Sequence, residues 1–287
     1  MTSTRKSVRR LLVAASAAAL CAATLGTGAA AQAQGGGEQP GPTAQARAAG
    51  IQHRGQAQMG WRNGVDTQST APADALTAEP QVAQVYGIDV SGWQGNVNWQ
   101  SWWDAGFRFA YVKATESTSY INGYFAQQYN GSYNVGMIRG AYHFATPNTS
   151  SGAAQANYFV DHGGGWSADG KTLPGALDIE YNPYGDTCYN MSAGQLRSWI
   201  ADFVATYKAR TGRDVVIYTA RNWWVPCMNN STQFSQTNPL WVADYQNTPP
   251  ILFGGWPFYT FHQYSGSGTD KDTFNGSYDR LIALAMG

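Results

Sequence analysis

The sequence predicts an α/β fold in one domain: a barrel that opens with alternating strands and helices and closes with bare strands. Three observations carry this. The 11 Trp, 17 Tyr and 11 Phe are segregated, and all but Trp61 lie in residues 84–287. Within that stretch, short apolar runs alternate with segments of helical period, as in parallel βαβ units. After Tyr245 the alternation stops. Only about a dozen residues precede the next run, and Pro249, Pro250, Gly254, Gly255 and Pro257 leave no room for a helix there. An open doubly wound sheet is the alternative, but no Gly-rich phosphate loop follows the first strand.

The strands are read at Tyr86–Ser91, Phe107–Thr115, Ile138–Ala145, Gly175–Glu180, Val215–Ala220, Leu240–Tyr245 and Phe258–Tyr264. Most are continuous apolar or aromatic runs, the pattern of strands covered on both faces. Helices are read at Trp99–Ala105, Asn122–Val135, Ser151–His162 and Ser192–Arg210. In the last of these, Leu196, Trp199, Ile200, Phe203, Val204 and Tyr207 form one stripe, with Ser192 placed to cap its start and Gly212 its end.

Upstream, Arg5, Lys6, Arg9 and Arg10 precede an Ala-rich apolar stretch, Leu11 to Leu25, and small residues at Ala29, Ala31 and Ala33. This is the layout of a secretion signal peptide, assigned to 1–31. The apolar run is short for a membrane anchor, and Arg9-Arg10 leaves the twin-arginine export route open beside the general one. Residues 32–83 are rich in Gly, Gln, Ala and Pro without a hydrophobic period. They read as a disordered pro-segment or spacer. The barrel is assigned to 84–287.

Lys+Arg and Asp+Glu number 18 each, so the chain has no formal net charge. Residues 84–287 carry 11 basic and 14 acidic side chains, a net of −3. Neither balance suits a nucleic-acid binder. Cys21 falls in the leader, leaving Cys188 and Cys227, an even pair in an exported chain. They are expected to form a disulfide, with two buried thiols the alternative. Two Cys and scattered His lack zinc spacing.

Chemistry in a β/α barrel sits at the C-terminal ends of the strands. Asp89 ends the first strand, and Asp178 and Glu180 end the fourth, two residues apart and so on one face. Asp270 and Asp272 follow the seventh. An isolated Asp-x-Glu is ordinarily a solvated edge. Here it ends an apolar run in a chain that is only 13% charged, and buried carboxylates are costly unless paired or used. Glycoside cleavage needs one carboxylic acid held protonated and negative charge near an oxocarbenium-like centre, and clustered carboxylates supply both. Trp93, Tyr111, Tyr142, Tyr218, Trp241, Tyr245 and Tyr264 lie near strand ends and could pack on sugar faces, although each could equally be core. His143 reads as a satisfied interior residue, and no nucleophile-elbow Gly-x-Ser-x-Gly occurs.

Residues 86–287 resemble glycoside hydrolase family 25, the Chalaropsis-type lysozymes, and are similar to the secreted muramidases of Streptomyces. The motifs are Gly87-Ile88-Asp89-Val90-Ser91-Gly92-Trp93-Gln94, Tyr111-Val112-Lys113-Ala114-Thr115-Glu116, Arg139-Gly140-Ala141-Tyr142-His143-Phe144, Leu177-Asp178-Ile179-Glu180, Val216-Ile217-Tyr218-Thr219, Leu240-Trp241-Val242-Ala243, Gln263-Tyr264-Ser265 and Asp270-Lys271-Asp272-Thr273-Phe274-Asn275-Gly276. The resemblance implies a modified TIM-like barrel, (β/α)5β3, and hydrolysis of the β-1,4 bond between N-acetylmuramic acid and N-acetylglucosamine. Glu180 matches the general acid/base, Asp178 its partner and Asp89 the first-strand carboxylate. Alignment on Phe274-Asn275-Gly276 favours Asp270 over Asp272 as the last-strand acid. Trp93, Tyr111, Lys113, Tyr142, Tyr218, Trp241, Gln263 and Tyr264 are the implied substrate-binding residues, and the Cys188–Cys227 pair resembles a disulfide of the Streptomyces members. The chain departs from the family pattern at Gly92, His262 and Asp244.

Glu180 would then protonate the glycosidic oxygen and later activate water. Asp178 would act as nucleophile or orient the 2-acetamido group for internal attack. A chitinase-like reading needs Asp-x-x-Asp-x-Glu, but Gly175 stands at its first position. An inactive wall-binding module would be expected to have lost an acid, and all are present. The expected protein is secreted and extracellular, a monomer acting on peptidoglycan glycan strands. It needs no cofactor or metal, binds no nucleic acid, and has no membrane contact once the signal is removed.

Overall fold

The computed structural model describes Met1, residues 39–62 and residues 84–287. The expected signal peptide, 1–31, lies outside the described residues apart from Met1. From Val85 onward the runs read as strands are strands. They are β1 (Val85–Val90), β2 (Phe109–Glu116), β4 (Ile138–Phe144), β5 (Ala176–Asp178), β6 (Val216–Ala220), β7 (Leu240–Ala243), β8 (Phe261–Ser265) and β9 (Asp270–Phe274), with a two-residue β3 (Tyr120–Ile121) leaning on β2. β1, β2, β4, β5, β6, β7 and β8 pair in parallel. β9 runs antiparallel to both β8 and β1 and closes the eight-stranded barrel. All eight residues of β2 are buried, as a parallel strand between helices and a filled interior requires.

The helices lie outside. They are α2 (Trp99–Asp104), α3 (Phe125–Asn134), α4 (Gly152–Phe159), α5 (Ala193–Thr211), α6 (Arg221–Met228) and α7 (Tyr278–Met286). α5 is set at both ends by its sequence. Ser192 and Gln195 form a reciprocal capping box, and Gly212 ends the helix at φ 74°. Its Leu196, Trp199, Ile200, Phe203 and Tyr207 are buried, so the apolar stripe faces the barrel. α4 stops at Phe159, short of the expected His162. An irregular turn over Val160–Gly164 follows, in which Gly163 adopts φ 116°.

The lower half of the barrel is filled by aromatic rings. Tyr111 packs on Trp241 at 4.6 Å between centroids, and Phe261 meets Phe109 and Phe274 at 5.4 Å each. Gly140 makes room for this layer, since a Cβ there would lie 2.3 Å from the Tyr111 ring.

Besides the early end of α4 and the unread β3 and α7, the sequence reading departs from the structure in three further places. The last strand, β9, falls in a charged stretch after the seventh predicted run, because its partner β1 lies at the far end of the barrel chain. α6 begins directly at the end of β6 and contains Pro226, which hides it from a periodicity reading. Residues 40–62 are not free chain, as the expectation of disorder over 32–83 had it. They include a short helix, α1 (Ala44–Ala48), capped by Thr43, and Ala46, Ile51, Ala57, Met59 and Trp61 are buried. They have no period because they build no core of their own and use the apolar surface of the barrel. Residues 63–83 lie outside the described residues.

Cys188 and Cys227 are bonded, with Cα atoms 5.4 Å apart, and tie the loop after β5 to α6. The closed loop spans 39 residues of sequence separation, for which a cross-link typically adds about 2–4 kcal/mol. Replacing both cysteines by serine is expected to lower stability by that amount, read from chemical denaturation with the slope fitted separately for each protein. A loss under about 0.5 kcal/mol would show that the unfolded chain is already restricted there.

Candidate functional site

Barrel closure brings five carboxyl groups to one end. Asp89 lies at the C-terminal end of β1 and Asp178 ends β5, with Glu180 two residues on and on the same side. β9 enters from the opposite direction, so its first residue stands at the mouth. Its register sets Asp270 opposite Asp89, and Asp272 one layer deeper, opposite Gly87. None of the five is more than 5% exposed. Trp241 Nε1 donates to Asp272 Oδ1 at 3.0 Å, anchoring that carboxyl in the aromatic layer below. Gln263 Nε2 donates to Asp89 Oδ2 at 2.7 Å, and Gln263 Oε1 accepts from the hydroxyls of Tyr218 and Tyr245 at 2.6 Å each.

Burial is the main cause of every proton affinity here. It raises Glu180 to about 8, against the lowering effect of the Gly60 amide and the adjacent Asp178. Burial raises Asp178 well above its usual value, reinforced by the charge of Glu180 and opposed by Lys113. Asp89 is pushed up to about 7, held down in part by hydrogen bonds from Gln263 and Asp272. Asp270 and Asp272 are raised well above the ordinary range by burial and then by Asp89. Like charges packed this closely cannot all ionise, so protonated and ionised carboxyls coexist near neutrality.

The other predicted side chains divide. Tyr142 is buried beside Asp89, Asp178 and Asp270. Tyr218 and Gln263 join the network on Asp89. Trp93 stands on the rim, 45% exposed. Three do not line the mouth. Tyr111 points down the barrel, its hydroxyl donating to Pro174 O at 2.9 Å. Trp241 is interior and acts on Asp272. Tyr264 alternates with Gln263 on β8 and packs outside on Tyr86 and His262. Both a core and a cleft position suit an aromatic near a strand end. Tyr111 and Trp241 share the inward parity of their partners Asp89 and Tyr218 and differ in depth, whereas parity turns Tyr264 outward. His143 is satisfied, with Nδ1 2.8 Å from Thr115 Oγ1 and Nε2 2.9 Å from Gln155 Oε1. Burial lowers it to about 3. Asp244, one of the departures from the family pattern, organises the loop after β7 by accepting from the amides of Gln246, Asn247 and Ile251 at 3.1 Å.

Lys113 and Glu116 form a buried ion pair, Nζ to Oε2 2.6 Å. Three residues apart on a strand they would face opposite ways. An irregularity in the β2–β4 pairing between Lys113 and Thr115 restores the parity. The sequence reading missed Glu116 for this reason, although it stands in the same motif as Lys113. It also missed Tyr184, whose hydroxyl donates to Glu116 Oε1.

Residues 40–62 lie across this end of the barrel. The Gly60 amide donates to Glu180 Oε1 at 2.6 Å. The Gly55 amide donates to Glu116 Oε1 at 2.9 Å, and Lys113 Nζ donates to the carbonyls of Gly55, at 3.0 Å, and Ala57. Trp61 Nε1 donates to Tyr181 O at 2.8 Å, and Trp93 Nε1 to Gln56 O at 2.6 Å. Beside Arg62 a groove of about 380 Å³ remains, bounded by Tyr181, Arg221, Asp244, Tyr245 and Asn247. Among the described residues no group of three His, Cys, Asp or Glu is arranged to hold a metal ion.

Residues 88–273 match the model of Glycosyl hydrolases family 25. The chain belongs to glycosyl hydrolase family 25. Lysozyme M1 of Streptomyces globisporus is 50% identical to this family 25 chain over 240 residues, covering 80% of this chain and 82% of that protein. The N,O-diacetylmuramidase of Chalaropsis sp. is 46% identical over 210 residues, 71% of this chain and all of that protein. Among solved structures, a bacterial lysozyme from Streptomyces coelicolor is 52% identical, with a TM-score of 0.70 over 72% of this chain and 99% of its own. The aligned share of this chain is about the share that residues 84–287 make up, so that solved chain is about the size of the barrel. The match to Lysozyme M1 covers more of this chain than residues 84–287 supply, so it extends upstream of β1.

A carboxyl whose folded-state proton affinity is raised binds more protons folded than unfolded. Stability therefore falls as pH rises from the ordinary carboxylate range toward the raised value. For Glu180 the window runs from 4.5 to about 8. In the full chain, Glu180→Gln is expected to melt close to the wild type at pH 4.5 and above it at pH 8. Parallel melting curves at both pH values would show that Glu180 is not held protonated.

Proposed function

We propose that this protein is an N-acetylmuramidase, a lysozyme that hydrolyses β-1,4 bonds between N-acetylmuramic acid and N-acetylglucosamine in bacterial peptidoglycan. The carrying observation is the Asp178–Glu180 pair at the barrel mouth, set among three further carboxyl groups from β1 and β9. Family 25 membership and the resemblance to named lysozymes and muramidases supply the reaction class and the substrate. The chain would act outside the cell as a monomer. The basic-then-apolar leader supports export.

The residues divide the work by their surroundings. Protonated Glu180 gives its proton to the glycosidic oxygen as the bond from that oxygen to the anomeric carbon breaks. The same carboxylate then removes a proton from the water that attacks that carbon. Asp178 meets the developing positive charge. It serves either as the nucleophile or as the group that orients the 2-acetamido oxygen for internal attack. Both roles give retention. Asp89, Asp270 and the Tyr218–Gln263–Tyr245 network keep the site ordered. Tyr142 and Trp93 offer aromatic surface to the sugar.

Residues 84–287 on purified peptidoglycan should release ends that borohydride converts to reduced muramic acid. Glu180→Gln should lower the rate by at least about 100-fold, the lower end for loss of a general acid. Reduced glucosamine in place of reduced muramic acid would make the enzyme a glucosaminidase. Equal rates for the two proteins would remove Glu180 from the chemistry. In the same assay NMR should show the β-anomer formed first, and an initial α-anomer would overturn both roles given to Asp178.

A further inference from the structure

The described part of the upstream segment meets the site at its most reactive atoms. Gly60 holds φ 67°, and a Cβ on it would lie 2.2 Å from the Tyr245 hydroxyl and 2.6 Å from Gln263 Oε1. Only glycine fits there, with its amide on Glu180. A glycosidic oxygen must come within about 2.6–3.2 Å of the acid that protonates it. The Gly60 nitrogen already stands at 2.6 Å, so substrate and segment cannot share the position. Five residues earlier Gly55, at φ 92°, lies flat on the Tyr120 ring, and its amide and carbonyl meet Glu116 and Lys113. At the rim Trp93, offered above as sugar-stacking surface, donates to Gln56 O and covers Gly50. Backbone groups of the segment thus take up polar atoms that the barrel leaves open at the mouth.

We propose that residues 40–62 are an inhibitor built into the chain, which fills the cleft over Glu180 and keeps glycan strands out for as long as it stays joined to the barrel. The inference rests on the muramidase reading of that cleft. The segment need not bind tightly, because a tethered ligand acts at an effective concentration in the millimolar range. Ala46, Ile51, Ala57, Met59 and Trp61 bury themselves in the core cluster of the barrel. Once detached, the segment has no core to hold its shape, and rebinding carries the full cost of ordering it.

The test uses the full chain and its Gly60→Val variant, which changes no barrel residue. New reducing ends on purified peptidoglycan should appear at least tenfold faster with the variant, while the melting temperature confirms that both are folded. Equal rates overturn the proposal and leave the segment as a folding aid. In a second arm, a synthetic peptide of residues 40–62 is added to the barrel, residues 84–287. It should inhibit competitively with the glycan, and the Gly60→Val peptide at least tenfold more weakly. Absence of inhibition by the first peptide, or equal inhibition by both, overturns the proposal. If no protein releases sugar ends, the muramidase reading fails and calorimetry decides occlusion separately. Binding of the wild-type peptide alone to the barrel then supports it, and binding of neither or of both overturns it.

Discussion

The structure depends on holding five carboxyl groups in one nearly water-free place. Their burial follows from barrel closure. β9 must run against its neighbours to seal β8 to β1, and this brings Asp270 level with Asp89. Isolated charges cannot persist in such surroundings. The site answers with protons and with donors. Gln263 and Trp241 each donate to one carboxyl, and burial keeps others protonated. The same arrangement that strains the fold supplies an acid near neutrality beside groups that ionise more readily, which is what glycoside cleavage uses. Removing any one acid changes the proton balance of the rest, so the five behave as a single titrating unit.

Below this unit the barrel is conventional packing, and the two halves are joined by few residues. Trp241 spans them, its ring against Tyr111 and its Nε1 on Asp272. Gln263 does the same sideways, linking β1 to Tyr218 on β6 and to Tyr245 beyond β7. Rigid strands thereby set the spacing of the acids, and loops contribute mainly the rim, with Trp93 the clearest example.

Much of this was legible in sequence. Continuous apolar runs, α5 with its caps, and the cysteine pair follow from local rules. Asp89, Asp178 and Glu180 stood out because they end apolar runs in a chain with few charges. What escaped depends on contacts between distant residues. β9 is recognisable only through its pairing with β1. Glu116 joins Lys113 only through an irregular rung of the sheet. Tyr111, Trp241 and Tyr264 have the composition of a sugar platform, but depth in the barrel puts the first two in the core and strand parity turns Tyr264 to the surface. The upstream segment is the largest case. Its Gly, Gln and Ala composition describes a chain that cannot fold alone, which remains true of it here. Composition says nothing of a surface made elsewhere in the same molecule, and only the lone aromatic Trp61 hinted at burial.

The order of the chain adds a matter of timing. Gly60 precedes Glu180 by 120 positions. At a synthesis rate of roughly 5–20 residues per second, it leaves the ribosome several seconds or more before the acid it touches. Every residue of the segment exists before any residue of the cleft. The barrel therefore has no history of an empty mouth: from the moment its eighth strand closes, the occupant is already present, one per molecule, whatever the expression level. A separately encoded inhibitor would have to match its target in amount and arrive in time, and the linear order of this polypeptide removes both requirements.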